Sequence, residues 1–284
     1  MEHLKGHSTP LLTGHLNSEV AWVGYPEEEG ANSRALLSTA ADTLLSQGAK
    51  KVIGPLQSST WNPYRLVTES DASPPFFLES PYMFQDPAPW IDAGFMPRYG
   101  YHSTKSPLQD ESERIRRAEQ RFTENGIRLR TIRRENFDSE LRALFTVSLQ
   151  SFAGNLFYSP CTEEDFLNMY LPYREKIEPE WIRIAESDHG VCGYLFAVPD
   201  LLQAQRGETV TDIILKTLAV LPGRNYAGLG SVLVNQVHRS AADRGLTHAI
   251  HALMYDGNVS SNIGKDAHII RRYHLFEKSK ASGS

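Results

Sequence analysis

The chain has 284 residues, enough for one large domain or two ordinary ones, and its 40% hydrophobic and 22% charged residues describe a packed globular protein. A formal charge of −5 argues against nucleic acid or an anionic membrane surface as partner, and no apolar run approaches the roughly 18 residues of a membrane helix. The first residues, MEHLKGHSTPLL, hold no apolar stretch of signal-peptide length. The two cysteines, Cys161 and Cys192, form neither a metal motif nor a disulfide framework, so a reducing, cytoplasmic setting is expected.

Taken in chain order, His3 and His7 stand four apart, but Gly6 and Pro10 argue against a helix that would join them, and a mobile tail is expected. Residues 20–23 read as a strand, 35–47 as a helix ending at Gly48, and 51–54 as a second strand. The aromatic residues Trp61, Tyr64, Phe76, Phe77, Tyr82, Phe84 and Trp90 follow; they suit a core, or the wall of a pocket. Residues 106–125 are almost free of apolar side chains and read as a linker or a solvated helix, which places a boundary near residue 108. The expected organisation is a first lobe over residues 1–107, a linker over 108–126 and a second domain over 127–284.

The second domain has a clear order. Residues 127–132 alternate as a strand; 135–152 and 162–170 have helical periodicity, with Thr162 as an N-cap. Strands follow at 180–185, 191–198 and 211–221, a helix at 228–244 ended by Gly245, and strands at 247–254 and 269–276. This order predicts an α/β (α+β) domain with a mixed, mostly antiparallel sheet flanked by helices. The first lobe repeats part of it: from Pro26 to Gly48 is 22 positions, and from Pro222 to Gly245 is 23, each pair enclosing a helix between two strands. That spacing suggests a duplication.

The stretch that carries chemistry is LAVLPGRNYAGLGSVLV, residues 218–234. A strand ends at Val220, a turn follows, and a helix begins near Gly228. The first N–H groups of a helix lack intrahelical partners and lie at the positive end of its dipole, which suits a pyrophosphate. Gly228 and Gly230 let phosphate oxygens approach the backbone, and Arg224 adds positive charge.

This stretch resembles motif A of the GNAT superfamily of N-acetyltransferases, V-x-P followed by (Q/R)-x-x-G-x-(G/A). Val220 and Pro222 stand at V-x-P, Gly228 and Gly230 at the two small positions, and Asn225 where Gln or Arg is usual. The resemblance covers residues 127–278 and implies acetyl-CoA as co-substrate. The backbone of Leu218 and Val220 would pair with the pantetheine arm. The turn from Asn225 through Ala227, Gly228, Leu229 and Gly230 to Ser231 would hold the pyrophosphate. Asn258 would face the pantetheine from beyond the next strand. The resemblance also implies that the strand at 247–254 splays from the motif strand and opens a slot for the thioester. GPLQSSTWNPYRLV, PPFFLES and WIDAGFMPRYGYHS resemble the first lobe of duplicated members. There, Glu27, Glu28 and Glu29 occupy the phosphate loop, and only about 20 residues precede the motif strand, so a degenerate lobe without early strands is expected.

The family often places a Tyr acid seven positions after that Asn; here Lys265 stands there. His251, as a neutral base with an ordinary pKa near 6.5, and Tyr255, as a proton donor, are the remaining catalytic candidates. His248 and His251 have no Cys or carboxylate at ligand spacing, and no metal is expected. The expected function is transfer of an acetyl or other acyl group from acetyl-CoA to the amine of a small or amino-acid-like acceptor, by a monomer or homodimer. The alternative is a non-catalytic CoA-binding or scaffold protein of the same fold.

Overall fold

The computed structural model describes residues 2–6, 8–27, 31–109, 111–257 and 266–280. The elements of the first half are β1 (Glu2–Gly6), β2 (Ser8–His15), β3 (Val20–Val23), α1 (Ala31–Ser46), β4 (Lys51–Gly54), β5 (Leu66–Ser70), α2 (Ala88–Asp92) and β6 (Met96–Pro107). Then come α3 (Glu113–Glu124), β7 (Arg128–Thr131), α4 (Phe137–Phe152), α5 (Glu163–Tyr170), β8 (Ile182–Ser187), β9 (Gly190–Pro199) and α6 (Leu201–Gln205). The chain closes with β10 (Asp212–Val220), α7 (Leu229–Asp243), β11 (His248–Tyr255) and β12 (His268–Ser279). No helix of the described residues is long and apolar enough to cross a membrane.

Local chemistry explains the long helices. Thr162 caps α5, its hydroxyl accepting from Asp165 N–H at 3.1 Å, as the sequence suggests. Ser112 does the same for α3, accepting from Ile115 N–H at 3.3 Å. α7 stops where Gly245 turns to φ +81°.

The strands form one sheet in the order β1-β2-β3-β4-β12-β6-β11-β10-β9-β8-β7, with β5 on β12. Outward from the central β12–β6 pair, the two halves match. β4 and β11 pair antiparallel to the central strands. β3 and β10 come next, parallel to their inner neighbours. β2 and β9, then β1 and β8, follow antiparallel. The correspondence includes β1 and β2, so the first lobe does have early strands. The expected N-terminal tail is instead a hairpin that extends the sheet; the outermost strand β7 and the helices α4 and α5 have no counterpart among the described residues of the first half.

The central pair is exchanged. β12, from the C-terminus, lies against β4 and β5 of the first half, while β6, from the first half, lies against β11. The sheet therefore crosses the division placed at residues 108–126. That segment is also more than a solvated connection. α3 packs on α7, and Phe122 is fully buried in the core that α7 covers. Burying one Phe contributes about 2–3 kcal/mol. The polarity of the other positions hid a helix with a single anchoring face.

Both sheet faces are covered in the second half. Ala185, Leu195 and Leu215 point toward α3 and α7, while the neighbouring Ile184, Tyr194 and Ala219 point toward α4 and α5. Strands buried on both faces read as apolar runs, which is why this half was legible. In the first half α1 covers one face through Ala21, Val23 and Val52, and the central strands close over Val20, Trp22 and Ile53 on the other.

Candidate functional site

β10 and β11 pair only from Asp212↔His248 to Leu215↔His251, although β10 runs on to Val220 and β11 to Tyr255. Each strand bulges where they part. The register of β10 on β9 shifts between Leu215 and Thr217, and that of β11 on β6 shifts between His251 and Met254. Leu253, inside the second bulge, has φ +58°. A bulge adds a residue on one strand and re-aims it, so two bulges at one level open a wedge. Past the fork, the edge of β10 from Lys216 onward pairs with no strand among the described residues. Such an edge accepts an extended, amide-bearing chain.

The glycine turn stands at the outer end of that edge. Arg224–Tyr226 form one 3-10 turn, Gly228 caps α7 at φ +90°, and the first helical bond runs from Val232 N–H to the Gly228 carbonyl at 3.3 Å. The N–H groups of Leu229, Gly230 and Ser231 thus precede the first helical bond and have no intrahelical partner. Arg224, Asn225, Ala227, Gly228 and Ser231 are exposed; Leu229 is buried in the core and anchors the helix. Arg121 of α3 donates from Nη2 to the Ala227 carbonyl at 2.8 Å, adding a guanidinium that sequence reading missed. Leu218 lines the slot; the Val220 carbonyl accepts from the Ser151 hydroxyl at 2.8 Å. Asn258, Glu28, Glu29 and Lys265 lie outside the described residues.

The corresponding strands of the first half do not part. Past the β3–β4 pairing, Leu56 N–H donates to the Val23 carbonyl at 2.9 Å. A Cβ on Gly54 would meet the Trp90 ring at 2.5 Å and the Val23 carbonyl at 2.7 Å, so backbone and indole fill that fork.

A cavity of about 530 Å³ opens at the β10–β11 fork. Leu218, His251 and Tyr255 line it from the second half, and Trp61, Tyr64 and Arg65 from the first. Of the aromatic cluster, Trp61 and Tyr64 face this cavity, Phe76 and Trp90 are buried in cores, and Phe77, Tyr82 and Phe84 are exposed. Tyr255 packs on Tyr101 with ring centroids 5.2 Å apart. Among the described residues no Asp or Glu lines the cavity; its fixed charges there are Arg65 and Lys216, whose ammonium donates to Tyr170 Oη at 2.9 Å. Lys216 falls on a bulge, and Arg65 and Tyr170 come from distant segments, so no spacing announces them.

His251 departs from expectation. It is 3% exposed, its ring lies 6.1 Å from that of His238, and burial first, then His238, lower its pKa to about 4. An imidazole that holds a proton only below about pH 4 is a poor acceptor for an amine's proton near neutrality. His238 is lowered to about 4 as well, again by burial. Both values lie below the unfolded value near 6.5, so both states are neutral above pH 6.5. Below it the unfolded chain takes up protons that the folded chain refuses, and stability falls until about pH 4. Each histidine should therefore cost roughly 2–3 kcal/mol between pH 7 and 4.5. Urea midpoints at the two pH values check this. The loss should shrink in His251→Gln; an identical loss in variant and wild type would clear His251 of the effect.

The exchanged central strands, the fork and the glycine turn together define the fold of the GCN5-related N-acetyltransferases, here in duplicated, two-lobed form. A GCN5-related glucosamine N-acetyltransferase region of a fungal multi-domain β-N-acetylglucosaminidase aligns over 95% of the chain and 31% of its own, with 14% identity and a TM-score of 0.54. A GCN5-related N-acetyltransferase from Sphaerobacter thermophilus aligns over 95% of the chain and 75% of its own (15% identity, TM-score 0.50). A probable N-acyltransferase from Enterococcus faecalis V583 aligns over 92% and 54% (10% identity, TM-score 0.51). In sequence, Protein YghO of Escherichia coli (strain K12) is 25% identical over 185 residues, 60% of this chain and 44% of that protein. The aligned part thus spans under half the length of that relative. No protein-family model matches the chain.

Proposed function

We propose that the chain is an N-acyltransferase that uses acetyl-CoA and a small amine. The observation that carries the reading is the juxtaposition of the β10–β11 fork with the unbonded N–H groups of α7. The residues suit the co-substrate. The turn is exposed, cationic at Arg224 and Arg121, and bare of Cβ atoms at Gly228 and Gly230; the free edge of β10 at Leu218 and Val220 suits a pantetheine amide. CoA supplies the acyl group as a thioester. The protein's part is to hold the amine at the fork, exclude water and offer a proton to the leaving sulfur. Tyr255, on the cavity wall, is the candidate donor. The support for His251 is confined to shaping the slot, given its low pKa.

A cavity to which the described residues bring no carboxylate, beside a histidine near pKa 4, favours a second reading: a CoA-binding protein that does not turn over. Two measurements separate these. Calorimetry should detect acetyl-CoA at micromolar to millimolar concentration, and its absence at about millimolar ligand removes both readings. A thiol-release assay across an amine panel should find turnover for at least one acceptor; CoA binding with no turnover leaves the second reading alone.

A further inference from the structure

Arg65 is placed with unusual care for a residue outside the β10–α7 turn. Its backbone is in the left-handed region at φ 71°, a strained conformation for a non-glycine residue. Both of its backbone groups are tied down: the N–H donates to the Pro55 carbonyl at 3.0 Å, and the carbonyl accepts from the Tyr25 hydroxyl at 2.7 Å. The guanidinium lies against two mutually perpendicular rings, 3.7 Å from the Tyr64 centroid and 4.1 Å from that of Tyr101. Nη1 donates to the Leu253 carbonyl at 3.2 Å, inside the bulge where β11 leaves β10. The guanidinium therefore stands at the fork.

What it lacks is a counter-charge. The residue is 3% exposed, its Nε is buried without a hydrogen-bond partner, and it makes no ion pair with a carboxylate among the described residues. Burying a guanidinium without an anion is strongly unfavourable. The cation–π contacts and one carbonyl bond return only part of that cost. Arg271, the other deeply buried arginine, shows the usual solution, an ion pair with Glu79. The second cation on the cavity wall, Lys216, is likewise matched with a tyrosine and no carboxylate. An aromatic cavity to which the described residues bring two cations and no acidic side chain suits an anion with an apolar body.

We propose that Arg65 is an anion subsite that seats the carboxylate of the acceptor, so that the acceptor class is amino acids and related amines carrying a carboxylate. This rests on the acyltransferase reading only for the word acceptor; the subsite is a property of the cavity. A planar monoanion can pair edge to edge with a single guanidinium, and the second cation of the wall, Lys216, is already engaged with Tyr170 rather than poised to share a dianion.

The test compares three probes by calorimetry on the full chain: phenylacetate, its neutral amide phenylacetamide, and phenyl phosphate. Phenylacetate should bind at least tenfold more tightly than phenylacetamide, and Arg65→Gln should bring the two within about twofold. Equal affinities in the wild type, binding of neither probe, or discrimination that survives in Arg65→Gln overturns the proposal. A tenfold preference for phenyl phosphate over phenylacetate overturns the carboxylate assignment. The wild-type comparison needs no variant, so it stands even where Arg65→Gln does not fold; Arg65→Lys, which keeps the charge, should retain part of the discrimination. Acetyl-CoA is titrated in the same preparation. Carboxylate preference without CoA binding sinks the acyltransferase reading and keeps the subsite; CoA binding without carboxylate preference does the reverse.

Discussion

Gly230→Glu should weaken acetyl-CoA binding at least about a thousandfold, a loss of about 4 kcal/mol. Two effects add. A Cβ at Gly230 would sit 3.1 Å from Leu218 Cδ2, so the Leu218 side chain must give by a few tenths of an ångström on the strand edge proposed to hold pantetheine. The carboxylate would also stand among the N–H groups proposed to hold pyrophosphate. Gly228 is a poorer place for this test, because its φ of +90° strains any side chain and confuses folding with binding. Two controls divide the effects: Gly230→Ala adds bulk alone, and Ser231→Glu adds charge at an exposed first-turn position where an acidic residue favours the helix. Each alone should cost less than the combination, while Glu27→Gln in the first lobe should change nothing. Circular dichroism establishes folding and calorimetry reads affinity. A folded Gly230→Glu that binds acetyl-CoA within tenfold of wild type would move the phosphate site elsewhere.

Arg271→Ala should lower the free energy of unfolding by about 3–5 kcal/mol. The Arg271 and Glu79 side chains are fully buried, with Nε 3.2 Å from Oε1. The same guanidinium bonds Ser70 Oγ at 2.5 Å and the Ser73 carbonyl at 2.7 Å, so one side chain on β12 ties the exchanged strand to the 70–79 segment of the first lobe. Tyr273 also donates to Glu79 and meets Ser103 Oγ at 3.1 Å, and that hydroxyl accepts from Leu253 N–H at 3.0 Å, in the bulge of the fork. Removing Arg271 leaves Glu79 buried with less compensation. Replacing both, Arg271→Met with Glu79→Met, removes the unpaired charge and should recover most of the loss. Urea unfolding decides; a double variant no more stable than Arg271→Ala would mean that packing, not the uncompensated carboxylate, sets the cost.

The sequence by itself determined the strands and the long helices of the second half of this protein to within a few residues, though not the short α6. Its strands are buried on both faces, so they read as apolar runs, and its turns are marked by Thr162, Pro222 and Gly245, whose backbone chemistry is local. It also determined the glycine turn, because a Cβ-free helix start is written in consecutive residues. Tertiary structure alone decided the rest. β6, the central strand MPRYGYHSTKSP, is mostly polar and reads as nothing in particular until β12 and β11 cover its two edges. The hairpin of β1 and β2 and the single buried face of α3 carry too few apolar positions to stand out. The low pKa of His251 comes from α7 and from His238, thirteen positions earlier, and no period in the strand encodes that burial. Arg65 meets the Leu253 carbonyl across 188 positions. The exchange of β6 and β12 makes that meeting possible, by placing a first-lobe loop against the fork of the second. Local propensity fixes elements, but only long-range strand pairing fixes which distant side chains share a cavity.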